Sequence, residues 1–165
     1  MLCQSEHLRV NAVARYLLAQ DICLDLGVAS KRQLFHAVGQ HMHREHGLSP
    51  DDVVLSLSRR EQAGSTALGD GVAIPHARVE RLDRIYAVYV RLKASIPFDS
   101  PDGKPVSDIL VLLVPKPATE EHLAILADAM QLLSDRRFRK RLHASTNPRD
   151  TIELFRQAAT YPSLR

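Results

Sequence analysis

Six consecutive apolar residues, "ILVLLV" (Ile109–Val114), set the architecture of this 165-residue chain. The run falls far short of the about 20 residues that a membrane-spanning helix needs. It has no polar alternation, so as a strand it requires apolar cover on both faces. Such a strand lies inside a sheet with helices packed above and below it, and the rest of the chain has to supply those helices.

Local signals supply them. Residues 11–19, "NAVARYLLA", read as a short helix, and "DICLDLG" (21–27) as a strand with Ile22, Leu24 and Leu26 on one side. Ser30 and Gln33 form a capping box, opening a helix that buries Leu34, Phe35, Val38 and Met42, runs to about His46 and stops at Gly47. Ser49 caps the next helix, with Pro50 at its first position and Asp51 and Asp52 at the positive end of its dipole. Val53, Val54 and Leu57 face inward, and the helix ends near Gln62. "IYAVYVRL" (85–92) is β-branched and aromatic, hence a strand, and "SIPFDSPDGKP" (95–105) is a loop or hairpin. Thr119 caps a helix with Leu123, Leu126, Met130 and Leu133 inward. Asp135 opens a shorter basic helix on Phe138 and Leu142, and Asn147-Pro148 starts the last, with Ile152, Phe155 and Ala159 inward. The pattern predicts one α/β domain over residues 1–165, its core about 11–158, with a mixed central sheet of about five strands and helices on both faces.

Composition removes several functions. Aromatics are scarce and Trp is absent, which argues against a base-stacking platform and so against nucleic acid as a ligand. The N-terminus "MLCQSEHLRV" lacks a signal-peptide layout, so the expected location is cytoplasmic, without membrane insertion. The two cysteines, Cys3 and Cys23, form no CxxC pair, and Cys23 reads as a core residue. Four histidines, His36, His41, His43 and His46, lack the carboxylate or thiol that would complete a metal set, and read as a solvated helix face with His41 toward its apolar border. The basic run "RRFRKR" (136–141) reads as the wet side of an amphipathic helix.

The chemistry concentrates in residues 59–78, "RREQAGSTALGDGVAIPHAR". Pro75 fixes its own φ and extends Ile74, so His76 stands on a stiff lead. The glycines allow backbone N–H groups to gather round a small anion, and Ser65 and Thr66 add hydroxyl donors. Arg60, or its neighbour Arg59, supplies a forked cation suited to phosphoryl oxygens. His122 falls in the first turn after Thr119, where anions are favoured. If the fold brings the two histidines together, His76 is a nucleophile and His122 a donor to the oxygens. Plainer roles exist: Ser65 and Thr66 also fit a turn, and His122 the polar edge of a helix.

The order Glu61, Leu68-Gly69, Val72-Ala73-Ile74-Pro75-His76-Ala77 resembles the active-site signature of phosphotransferase-system enzyme IIA domains of the fructose/mannitol type. The chain is most similar to the nitrogen-regulatory branch, also through "PFDSPDGKPVSDILVLLVP" and "EEHLAILADAMQLLSD", over roughly residues 11–158. It departs at Ala77, where the family often has Gly, and at Asp70, where it often has Asn. The resemblance implies that His76 accepts a phosphoryl group from a phosphohistidine on an HPr-like carrier protein. Arg60 and His122 would stabilise charge, and Ser65 and Thr66 would line the pocket. It implies no metal and no cofactor, and an output to regulated target proteins. The alternative is a sugar-specific enzyme IIA that passes the group to a membrane permease; a binding domain that merely keeps the fold is a more distant reading.

Overall fold

The structure is a computed structural model that describes residues 9–117 and 119–160. In chain order these form β1 (Arg9–Val10), α1 (Ala12–Tyr16), β2 (Leu17–Leu26), α2 (Lys31–His46), α3 (Pro50–Gln62), β3 (Ala67–Gly69), β4 (Val72–Ala73), β5 (His76–Arg78), β6 (Tyr86–Ile96), β7 (Val106–Val114), α4 (Glu120–Ser134), α5 (Arg136–Ala144), α6 (Pro148–Gln157) and β8 (Ala159–Thr160).

The apolar run lies in β7, inside a six-stranded mixed sheet of order β2-β6-β7-β4-β3, with β5 also paired to β7. β6 and β7 are antiparallel, β2 runs parallel to β6, and β4 and β5 run parallel to β7. Because side chains alternate along a strand, β7 feeds two cores. Ile109, Val111 and Leu113 pack with Leu34, Phe35, Val38, Met42, Val53 and Leu57 of α2 and α3. Leu110 and Leu112 pack with residues of α1, α4, α5 and α6, among them Val13, Ile125, Phe138 and Phe155. This two-sided cover is the architecture that the run required.

Helices α2 and α3 follow their local signals. Ser30 accepts the amide of Gln33, Gly47 closes α2 in the left-handed conformation at φ 69°, and Ser49 accepts the amide of Asp52 ahead of Pro50. Three expectations need correction. The first helix ends at Tyr16, because Leu17 is buried and pairs with Ala87 as the start of β2. Helix α4 turns Ile125, Ala129, Leu132 and Leu133 inward, while Leu123 is 71 % and Met130 45 % exposed. The inward stripe also holds Asp128, fully buried, which accepts Arg9 at 2.7 Å and the amide of Ala12 at 2.7 Å. Ala159 lies in β8 and is exposed, paired with Val10.

Two of the four α2 histidines also point inward. His41 donates from Nε2 to Asp21 Oδ1 at 2.8 Å, and His46 approaches both oxygens of the same carboxylate at 2.9 Å. His36 and His43 are exposed, as expected. The hydrogen bond to Asp21, supported by the Cys23 sulfur, raises the His41 pKa to about 9. The folded chain therefore keeps a proton that the unfolded chain releases near pH 6.5. This stabilisation is complete below that pH and is lost as pH rises through about 9. Urea titrations between those limits should show stability falling by about 2–3 kcal/mol with rising pH. His41→Gln should flatten that slope.

Candidate functional site

β4 and β5 lie in line along β7, with Val72 opposite Asp108, Ala73 opposite Ile109, His76 opposite Leu112 and Arg78 opposite Val114. The gap between them carries Pro75, which has no N–H to give; its carbonyl accepts Leu112 N at 2.9 Å and the ladder continues. His76 is thus fixed at the start of a short strand, beside the C-terminal turn of α3 and the first turn of α4.

The His76 ring has a defined tautomer. Nδ1 lies 2.8 Å from the Ile74 carbonyl, which can only accept, so Nδ1 carries the proton. In the neutral ring Nε2 then holds the lone pair. Burial pushes the His76 pKa down, as does the Arg60 charge; the Ile74 bond and Glu61 oppose the shift without cancelling it. The neutral ring therefore dominates at neutral pH.

His76 opens on a cleft of about 430 Å³ that Arg60 and Ser56 of α3, Arg78 of β5, and His122, Leu123 and Leu126 of α4 also line. His122 Nδ1 accepts the Thr119 amide at 3.2 Å, which places the proton of its neutral ring on Nε2. One cleft therefore holds an imidazole with a lone pair, an imidazole with an N–H, and two guanidinium groups. Arg60 is anchored through Nη1 to the Gly64 carbonyl at 2.8 Å, while Arg59 is exposed and outside the lining. The arrangement suits a tetrahedral anion placed against His76 Nε2.

Ser65 and Thr66 stand apart from that lining. Ser65 Oγ donates to the Phe98 carbonyl at 2.6 Å, and Thr66 Oγ1 donates to Glu61 Oε2 at 2.6 Å. The glycines build a hairpin: β3 and β4 pair antiparallel around Asp70 (φ 55°) and Gly71 (φ 79°). The Asp70 amide donates to Asp102 at 2.9 Å. Glu61 is buried and accepts Lys31 Nζ at 2.9 Å and the Thr66 amide at 3.1 Å, so it fastens the loop to α2. Arg78 and Ser56 are cleft residues that the sequence reading passed over, although both follow from spacing. Arg78 shares the His76 face two residues on along a strand, and Ser56 lies one helical turn before Arg60.

The family model described as "Phosphoenolpyruvate-dependent sugar phosphotransferase system, EIIA 2" matches residues 15–158. A nitrogen regulatory protein of Bradyrhizobium diazoefficiens is 36 % identical over 138 residues, covering 84 % of this chain and 88 % of that protein. The crystal structure of nitrogen regulatory protein IIA-Ntr from Neisseria meningitidis superposes with a TM-score of 0.82 at 38 % identity, covering 87 % of this chain and 98 % of that one. The mannitol enzyme IIA of Escherichia coli, solved in complex with phosphorylated enzyme IIB, shares the fold at a TM-score of 0.71 and 20 % identity, over 84 % of this chain and 96 % of that one.

Proposed function

Because this chain belongs to the phosphoenolpyruvate-dependent sugar phosphotransferase system EIIA 2 family, we propose that His76 accepts a phosphoryl group from a phosphohistidine on an HPr-like carrier protein in the cytoplasm. The observation that carries this is the Nδ1–H bond of His76 to the Ile74 carbonyl, which leaves Nε2 as the nucleophile in a cleft with Arg60 and His122. The Nε2 lone pair attacks phosphorus, the new N–P bond forms as the carrier's N–P bond breaks, and the carrier imidazole leaves with the electron pair. His122 Nε2–H and the Arg60 guanidinium meet the charge on the phosphoryl oxygens. Leu123, exposed beside the cleft, offers apolar surface to the docked carrier. Ser65 and Thr66 support the reaction by holding the loop between α3 and β3.

We further propose that the output is regulatory: the phosphorylation state of His76 governs binding to target proteins. The support is similarity to nitrogen regulatory proteins over most of both chains. Incubation with a phosphorylated HPr-like carrier should place acid-labile phosphate on the protein; absence of label from any such carrier overturns the reading. Deletion of the gene should leave growth on every single sugar intact, and loss of uptake of one sugar would assign the chain to transport instead.

Arg60→Ala should slow phosphoryl uptake by about 10²-fold, the usual cost of removing one aimed donor. Stopped-flow mixing with phosphorylated carrier measures it. Arg59→Ala, on the exposed side of α3, should change the rate less than about threefold.

A further inference from the structure

A second cavity, of about 230 Å³, lies between α2 and strands β2 and β6, and it shares no lining residue with the His76 cleft. Cys23, His41 and Arg44 line it, against a wall that includes Val88 and Val90. Cys23 is a free, half-buried thiol. Its Sγ lies 3.6 Å from His41 Nδ1, and His41 Nε2 lies 2.8 Å from Asp21 Oδ1. Asp21 is 1 % exposed and held on its other oxygen by His46. The order is thiol, imidazole, buried carboxylate.

We propose that Cys23 is a reactive thiol, activated by His41 and Asp21, that exchanges with small anionic disulfides entering this cavity. The proposal stands apart from the phosphoryl reading and uses none of its residues. A thiolate is favoured when a cationic imidazolium within hydrogen-bond reach is itself oriented by a third group, and each contact is present here. Asp21 holds the His41 ring, so that its Nδ1–H faces sulfur and meets the charge on the attacking thiolate. With its pKa near 9, His41 is an imidazolium at neutral pH. The charged and titratable groups around the pair are Asp21 on β2, Arg44 and His46 on α2, Tyr86 on β6, whose ring lies tilted against His46 at 4.9 Å, and Arg84, over the Tyr86 ring at 4.6 Å. Arg44, exposed at the cavity, selects a disulfide that carries carboxylates.

The step balances. The Cys23 thiolate attacks one sulfur of the disulfide, a new S–S bond forms, the old one breaks, and the departing half leaves as a thiolate. The disulfide is the oxidant, and the proton lost by Cys23 passes through solvent to the departing thiolate.

The chain has a second cysteine, so the test uses a Cys3→Ser background. The protein is mixed with oxidised glutathione at pH 7 and followed by intact mass, folded and in urea. The expected result is one glutathionyl adduct, formed about tenfold faster in the folded chain than in urea. His41→Gln should bring the folded rate down to the urea rate. Arg44→Ala should slow oxidised glutathione but leave the cationic disulfide cystamine unchanged. A folded rate at or below the urea rate overturns the proposal, as does His41→Gln reacting as fast as its parent. Arg44→Ala slowing both disulfides equally, or neither, overturns the anionic class. Should His41→Gln fail to fold, the folded-to-urea ratio and the Arg44 comparison still decide.

Discussion

His76→Ala is expected to abolish phosphoryl uptake, by at least about 10⁴-fold, while the protein stays folded. The side chain is half-buried at the start of a three-residue strand, and its hydrogen bond runs to its own neighbour, the Ile74 carbonyl. Truncation therefore leaves the β5–β7 ladder intact, since the pairing of His76 with Leu112 is made by backbone. The other cleft imidazole does not substitute. His122 Nδ1 already accepts the Thr119 amide, so its neutral ring offers an N–H where a lone pair is needed. Labelled carrier and acid-quench counting measure uptake, and circular dichroism should place the melting temperature within a few degrees of the parent. Labelling of the variant at the parental rate would move the acceptor elsewhere.

The second large effect falls on stability. Glu61→Ala should cost about 3–5 kcal/mol, the range for breaking one partner out of a buried ion pair. For a chain of this size that lowers the melting temperature by about 10 °C. Glu61 accepts from Lys31 Nζ, the Thr66 amide and the Thr66 hydroxyl, and its removal leaves all three without that acceptor. Lys31 keeps Asp99 at 3.0 Å and the face of Phe98 at 4.7 Å, but Asp99 is a solvent-exposed partner and replaces little. The damage should also reach the cleft, because the Thr66 carbonyl accepts Ile74 N at 3.0 Å and Ile74 in turn holds the His76 ring. Phosphoryl uptake by Glu61→Ala should fall even at temperatures where the variant is folded. Glu61→Gln, which keeps an acceptor oxygen for Thr66, should lose less than half as much stability. Equal losses in the two variants would show that the carboxylate charge, rather than the loop contacts, carries the effect.

The features legible in the sequence are those set by local chemistry. The run Ile109–Val114 demanded cover on both faces, and the two cores of the sheet provide it. Ser30, Gly47, Ser49 and Pro50 mark the ends of α2 and α3 because caps and stops are written within three or four residues. Pro75 as a local backbone restraint ahead of His76 was legible for the same reason, and it sits between β4 and β5 with its carbonyl in the β7 ladder. Features set by distant partners were hidden. The inward stripe of α4 contains Asp128, whose partner Arg9 lies near the other end of the chain, so an apolar pattern pointed to Leu123 and Met130 instead. Ser65 and Thr66 looked like pocket donors, but Phe98 and Glu61 take their hydroxyls once the loop folds back on α3. His46 read as solvated, yet a carboxylate on β2 draws it inward beside His41. In each case a side chain found a hydrogen bond that no spacing rule describes.

The central claim is that His76 Nε2 is the phosphoryl acceptor, and nitrogen-15 NMR of the labelled protein tests it at the atom itself. After incubation with phosphorylated carrier, phosphorus–nitrogen coupling should appear on Nε2 of His76, while Nδ1 keeps its proton and its bond to the Ile74 carbonyl. Coupling on Nδ1 of His76, or on a ring nitrogen of His122, would contradict the account.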